Sequence, residues 1–328
     1  MNPFGYVQAG NDVSALSYKV QQAGSLFLAG GTCIVDLLTQ GALRPPFLID
    51  INALPLRAIT LQDDNSLIIG ALASNSAVAH HPSVLSGYPV LSESILAGAS
   101  AQIRNAASIG GNLLQKTRCY YYRDPSFACN KRTPGSGCPA ITGANRMHAI
   151  FGTSEQCIAV HPSDMAVGLS ALDAVIHTES SRGKRQIAID DFFLLPGDTP
   201  DRETILEQDE LITAVEIPAT PFARKSNYLK VRDRSSYAFA LVSVAGAVVF
   251  EGNSVKEIRL SAGGVAHKPW RLQEAEQTLL GRPLEEGLIA RAMESAVAGA
   301  KTYRQNAVKV DLLKRCVRLM LHRFREMA

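Results

Sequence analysis

The sequence is short of several things. It has one tryptophan, 6% aromatic residues, and 33 Lys and Arg against 30 Asp and Glu, a net charge of only +3. With basic residues spread throughout, nothing marks a dedicated nucleic-acid or anionic-membrane surface, although a local basic patch is compatible with this balance. No apolar run reaches the roughly 20 residues a membrane-spanning helix needs. The opening MNPFGYVQAGNDVSAL has neither the basic start, the apolar stretch nor the small-residue cleavage site of a secretory signal. The chain therefore reads as soluble and nominally cytoplasmic. Six cysteines in 328 residues are too sparse for a disulfide scaffold. Neither a GxGxxG fingerprint nor a Walker loop is present, so a nucleotide bound here needs another fold. There is no internal repeat and no low-complexity tract.

What is present is a long, ordinary globular chain. At 46% hydrophobic residues it fills more than one core, and its length predicts two or three domains. Residues 1–55 read as a small β-α-β unit: a helix capped by Asp12 with Val13, Leu16 and Val20 at helical spacing, a strand at SLFLAGG, a helix at CIVDLLTQG stopped by Gly41, and a strand at FLIDIN. Residues 56–220 mix strand and helix signals and end near a hairpin pattern, AVIHTESSRGKRQIAI. His80 and His81 sit at a helix end there. From residue 221 onward β-rich runs flank Glu251-Gly-Asn-Ser254, a hairpin turn, and helices follow. The last helix gathers Leu313, Cys316, Val317, Met320 and Phe324 on one face, which makes Cys316 a core residue. The overall class is α+β.

Two patterns carry chemistry. Paired glycines recur after short apolar stretches at Gly30-Gly31, Gly110-Gly111 and Gly263-Gly264. Such pairs allow positive φ and bring amide N–H groups close to a pyrophosphate, yet taken singly they are equally tight turns without a ligand. Cys119, Cys129, Cys138 and Cys157 fall within 39 residues, inside a segment where Pro, Gly, Asn and Arg replace apolar periodicity. A loop this long needs something to order it. The spacing Cys-x9-Cys-x8-Cys-x18-Cys matches neither zinc knuckles nor the usual ferredoxin run. Four thiolates suit a tetrahedral zinc or a cubane of iron and sulfide, and four unrelated buried thiols are the remaining alternative. Cys33 and Cys316 stand alone. Tyr120, Tyr121 and Tyr122, beside basic residues, read as packing over that site or a partner rather than as base-stacking groups.

Four stretches in order, FLAGGTCIVDLL, IRNAASIGGNLLQ, HPSDMAVGLSALDA and GGVAHKPWR, resemble the FAD-binding medium subunit of the xanthine dehydrogenase and aldehyde oxidase family of molybdenum hydroxylases. The likeness covers essentially the whole chain. It implies a two-part FAD-binding domain similar to that of vanillyl-alcohol oxidase, here residues 1–55 and 56–220, and a C-terminal α+β domain, residues 221–328, like that of the carbon monoxide dehydrogenase flavoprotein. By the resemblance Ala29, Gly30, Gly31, Thr32 and Cys33 wrap the FAD pyrophosphate, with Cys33 standing where the family more often has Asp or Asn. Ser108, Gly110, Gly111 and Asn112 form the second cofactor loop, led into by Ile103 and Arg104. Ser163 and Asp164 hydrogen-bond ribityl or ribose hydroxyls. Lys230 places positive charge at the isoalloxazine edge, where it favours reduced flavin. Read bare, Ser163 or Asp164 caps a helix and Lys230 is a solvated strand residue.

The segment holding TRCYYYRD, CNKRTPGSGC and SEQCIAVHPSD is similar to the insertion of aldehyde oxidoreductases, which implies a 4Fe-4S cluster on Cys119, Cys129, Cys138 and Cys157 within an insertion loop, residues 116–157. Arg118, Arg123, Lys131 and Arg132 then offset its negative charge. The resemblance further implies an electron-transfer role without a catalytic acid or base in this chain, a molybdenum-cofactor large subunit and a small subunit with two 2Fe-2S clusters as partners, and aldehydes or related carbonyl or heterocyclic compounds as substrates. It also adds co-export to the periplasm with a partner as a second location. A stand-alone flavin oxidase and a zinc-stabilised binding protein are the rival readings.

Overall fold

The computed structural model describes residues 1–221 and 223–328. Three sheets organise the described residues. The first is parallel, with β1 (Gly5–Gln8), β2 (Leu26–Leu28) and β3 (Phe47–Asp50) in the order β1-β3-β2. Helices α1 (Asp12–Gln21) and α2 (Ile34–Gln40) supply its crossovers, as parallel pairing requires. Asn11, not Asp12, caps α1: its side chain accepts from the Ser14 N–H at 2.8 Å, and Ser14 returns the bond in a capping box. The buried positions of α1 are Ala15 and Leu16, while Val13 and Val20 face outward. Apolar spacing picked the helix but not its inner face. Gly41 ends α2 at φ +72°, a conformation glycine adopts without strain.

A second, five-stranded antiparallel sheet runs β4 (Ile59–Leu61), β5 (Leu67–Gly70), β8 (Leu211–Ile217), β6 (Val175–Ser180) and β7 (Gly183–Ala188). Strands β6 and β7 form the expected hairpin. The long excursion between β5 and β6 carries seven helices and the cysteine segment: α3 (Asn75–Ala79), α4 (Pro82–Gly87), α5 (Pro89–Ala97), α6 (Ala101–Ala106), α7 (Ile109–Leu113), α8 (Tyr120–Arg123) and α9 (Asp164–Ser170). Helix α10 (Ile189–Phe192) follows β7. A core built on Leu67, Ile69, Val90, Leu91, Leu169 and Phe192 joins this sheet to α5 and α9.

The third sheet, β12-β11-β10-β9, is antiparallel and contains β9 (Ser226–Val231), β10 (Val242–Glu251), β11 (Ser254–Gly263) and β12 (Trp270–Arg271). Gly252, at φ +60°, turns the β10-β11 hairpin. Helices α11 (Gln273–Leu279), α12 (Glu286–Ser295) and α13 (Val308–Arg325) cover one face, and Leu313, Cys316, Val317, Met320 and Phe324 are all buried there as their spacing predicts. Ile150 and Phe151, from the end of the cysteine segment, are buried in this same core, and both their N–H groups donate to Val265 O. The irregular segment is thereby pinned to the third sheet. No helix among the described residues is long and apolar enough to cross a membrane.

Candidate cofactor site and cysteine cluster

The loop after β2 sets the first wall. Gly31 turns it at φ +72°, and Gly30 passes so close to the α6–α7 junction that a Cβ on it would lie 1.8 Å from Ala106 O. Only glycine fits such an approach. Among the described residues the backbone N–H groups of Gly30, Gly31, Thr32 and Cys33 donate to no acceptor. Four consecutive free amides lining a cavity of about 1250 Å³ make an anion-accepting concavity. Ala29, Gly30, Gly31, Thr32, Cys33, Ser108, Gly110 and Gly111 all line that cavity. The second glycine pair is less free: it lies within α7, where Ser108 caps by accepting from Gly111 N–H, and Gly110 N–H donates to Ala71 O at 2.8 Å. A Cβ on Gly110 would meet Ala71 at 3.1 Å, so close packing accounts for this glycine.

A second cavity of about 430 Å³ adjoins the first, sharing Thr32, Cys33, Gly111, Gln115, Thr117 and His161 with it. Ile103, Asn112, Ser163, Asp164 and Lys230 line this one. Ser163 caps α9 by accepting from Ala166 N–H and donates its own proton to Asn112 Oδ1 at 2.7 Å. Capping and tethering the second loop therefore occupy this hydroxyl. Asp164 is buried and accepts from Tyr228 OH at 2.5 Å and from Lys230 Nζ at 2.7 Å. Lys230 also donates to Ala97 O at 3.0 Å and is only 5% exposed, so it is not a solvated strand residue. Burial, then the Asp164 charge, pushes the Tyr228 hydroxyl well above its ordinary range, keeping it protonated as a donor.

Tyr228 escaped the sequence reading, although a signal existed: Tyr228 and Lys230 are two apart on β9 and so share a face. Asn75, whose Oδ1 is buried without a partner at the second cavity, gave no signal at all. The donor set fits a large anionic, hydroxyl-rich ligand: free backbone amides in one cavity, a paired carboxylate and ammonium in the next, and an orphan amide oxygen between helices.

At the larger cavity Glu203 accepts from Lys131 at 3.1 Å and from Lys116. Burial alone would raise its carboxyl, but Lys116 and Lys131 hold it down to about 2. His161, whose Nε2 meets Leu113 O at 3.0 Å, is driven down to about 4 by burial and is neutral near pH 7. Both ring nitrogens of buried His267 lack a partner.

The four clustered cysteines come together. Cys119, Cys129, Cys138 and Cys157 line a common cavity of about 10 Å³, beside Tyr121, Tyr122 and Lys131. Cys157 and Cys138 hydrogen-bond across it, which lowers the Cys138 thiol and raises that of Cys157. Burial pushes Cys119 up to about 11, opposed by N–H groups of Tyr122 and Tyr121 aimed at its sulfur; Cys138 receives N–H bonds from Ile158, Ala140 and Ile141 and Cys157 from Ala159. Backbone donors converging on sulfur favour thiolates. Among the described residues no three His, Cys, Asp or Glu side chains are grouped tightly enough for a single metal ion.

The basic residues of this segment are largely engaged. Arg118 and Arg123 pair with Asp36, Lys131 with Glu203 and Pro200 O, and Arg132 with the carbonyl oxygens of Tyr121 and Tyr122. Tyr122 is buried, Tyr121 OH accepts from Ala144 N–H, and Tyr120 is exposed. Cys33 does not stand alone, as its isolation in sequence suggested: it packs with Cys119 and Cys129 around Leu37 and Tyr122.

Comparison with known proteins accords with this geometry. Residues 2–220 match the family model of the FAD binding domain in molybdopterin dehydrogenase, and residues 227–324 match the CO dehydrogenase flavoprotein C-terminal domain. The chain is 45% identical to the aldehyde oxidoreductase FAD-binding subunit PaoB of Escherichia coli K12, over all of both chains. It is 29% identical to the glyceraldehyde dehydrogenase medium chain of Sulfolobus acidocaldarius, over 95% of this chain and 96% of that one. In fold it is similar to a chain of the Hydrogenophaga pseudoflava carbon monoxide dehydrogenase structure, with TM-score 0.75 at 24% identity, covering 98% of each. The chain is thus an oxidoreductase subunit and belongs to the FAD-binding medium subunits of the molybdenum hydroxylase family.

Proposed function

We propose that this chain carries FAD and a 4Fe-4S cluster in an aldehyde-oxidising molybdenum hydroxylase, and passes electrons from iron-sulfur centres through the flavin to an external acceptor. The observation that carries the reading is the adjacency of two donor sets: free amides and the Asp164–Lys230 pair around joined cavities, and four cysteines around a third that shares Thr117 with both. Identity of 45% across the whole of an aldehyde oxidoreductase FAD-binding subunit supports the substrate class. In this reading residues 1–55 and 56–220 form the two FAD-binding subdomains, and a molybdenum-cofactor subunit and a small 2Fe-2S subunit complete the enzyme.

The chain's own residues bind and bias. Gly30 to Cys33 present amides to the diphosphate, Asp164 faces the polyol while Ser163 holds Asn112 beside it, and Lys230 pairs with Asp164 in the second cavity. When bound, flavin supplies the exchange between one-electron iron-sulfur donors and a two-electron acceptor. Cys119, Cys129, Cys138 and Cys157 would hold the cluster.

Anaerobic purification of the full chain, with an absorbance spectrum and assay of iron and acid-labile sulfide, tests this. The expected result is flavin bands over a broad iron-sulfur shoulder, with dye reduction but no aldehyde turnover by the isolated chain. A colourless zinc protein, or aldehyde oxidation by the chain alone, overturns it.

A further inference from the structure

His148 lies in the wall between two cavities. Together with Thr117 and Cys119 it lines both the roughly 430 Å³ cavity and the cysteine cavity. Its Nε2 is 3.2 Å from Cys119 Sγ, and its Nδ1 is buried without a partner. The residue is 2% exposed. Its backbone is clamped: His148 N–H donates to Asn145 O, and the fully buried Asn306 donates its amide to the carbonyl oxygens of His148 and Ala149.

The tautomer follows from these surroundings. A neutral imidazole carries one N–H. Placed on Nδ1, that proton would be a buried donor with no acceptor, and, with Cys119 a cluster-bound thiolate, the Nε2 lone pair would face a sulfur lone pair. Placed on Nε2, it donates to sulfur. A doubly protonated ring would donate from Nε2 as well, so the donor assignment stands on the 3.2 Å contact and the unpartnered Nδ1.

We propose that His148 is a positioning residue that donates an Nε2–H bond to the Cys119 thiolate, singles out Cys119 as the cluster ligand facing the flavin cavity, and raises the cluster's reduction potential. Hydrogen bonds to a ligand sulfur withdraw negative charge and so favour the reduced cluster. Cys119 is the only one of the four cysteines that also lines the roughly 430 Å³ cavity, so the bond acts on the sulfur nearest that space. The inference rests on the proposed cluster.

The test is a potentiometric titration of the full-length chain, monitored by electron paramagnetic resonance, for wild type, His148→Phe and His148→Gln, with the flavin couple read in the same samples. The expected result is a lower cluster potential in His148→Phe, by roughly tenfold in the reduced-to-oxidised ratio, or about 59 mV for one electron. His148→Gln, whose amide still donates, recovers part of the shift, and the flavin couple stays within a smaller change. Pulsed resonance of reduced wild type containing isotopically labelled histidine detects one imidazole nitrogen coupled to the cluster, a readout independent of how the variants fold. A normal iron and sulfide content with an unmoved potential, or with no imidazole coupling, overturns this inference alone. A wild-type chain without iron and sulfide overturns the cluster reading and this inference with it.

Discussion

The glycine loop and the cysteine loop wall adjoining spaces, yet they are held in opposite ways. Around Gly30 and Gly31 the backbone itself does the work: a close approach to Ala106, a positive φ, and unpaired amides, with side chains almost incidental. The cysteine segment has little regular structure, and side chains fix it: Arg132 on two carbonyl oxygens, Lys131 on Glu203, Asn306 on two more carbonyls, and Ile150 and Phe151 sunk in another sheet's core. A backbone-built site fails at once when a Cβ intrudes, whereas a side-chain-built loop loses its contacts one at a time.

The harshest way to break the comparison is Gly30→Val. With Ala106 O only 1.8 Å from the added Cβ, the loop must move, and we expect a cost above about 4 kcal/mol, no retained flavin, and poor soluble yield on purification. Asp164→Ala comes next. It leaves Lys230 buried with Ala97 O alone, at a cost of about 3–5 kcal/mol in denaturant unfolding, and weakens flavin binding. Asp164→Asn, which still accepts from Tyr228, is expected to lie between this variant and wild type.

Cys138→Ser sharpens the contrast, because it should strip iron and sulfide while leaving flavin absorbance in place. Loss of flavin together with iron would show that the two regions are one cooperative unit. A smaller effect is expected from pH. His161 is held near 4 when folded and returns to about 6.5 when unfolded, so between these values the unfolded chain binds more protons. Stability is then complete above about pH 6.5 and falls as the pH drops toward 4. His161→Gln should flatten that slope in thermal melts, and an unchanged slope would contradict the assignment. Last, Glu251→Gln removes an exposed 3.6 Å pair with Lys256 on the β10-β11 turn and should move unfolding by less than about 0.5 kcal/mol.

Much of this was readable from residues, and what escaped has a physical reason. Periodicity gave the last helix residue for residue, because α13 packs one clean stripe into a single core. It misplaced the inner face of α1, where small Ala15 is buried and two valines are not. Glycine pairs marked loops that line the larger cavity because a conformational need leaves only one residue type available at Gly30, though Gly110 turned out to serve packing against Ala71. The partners that finish the site were silent: Glu203 and His148 reach it from distant irregular stretches, where no period relates neighbours in sequence to neighbours in space. Tyr228 falls between, legible once β9 is known to face Asp164.

Lys309 has a consequence for how far the support of one wall reaches through the chain. This wholly buried amine, lowered to about 7 by burial and the nearby Arg146 charge, donates to Gly264 O at 2.6 Å, and Gly264 lines the roughly 430 Å³ cavity. Walls contributed by residues from Thr32 to Gly264 are thus braced by a side chain of α13, an element of the third sheet's own core. A change far from every lining residue, in the helix that covers that sheet, therefore reaches the cavity through one amine.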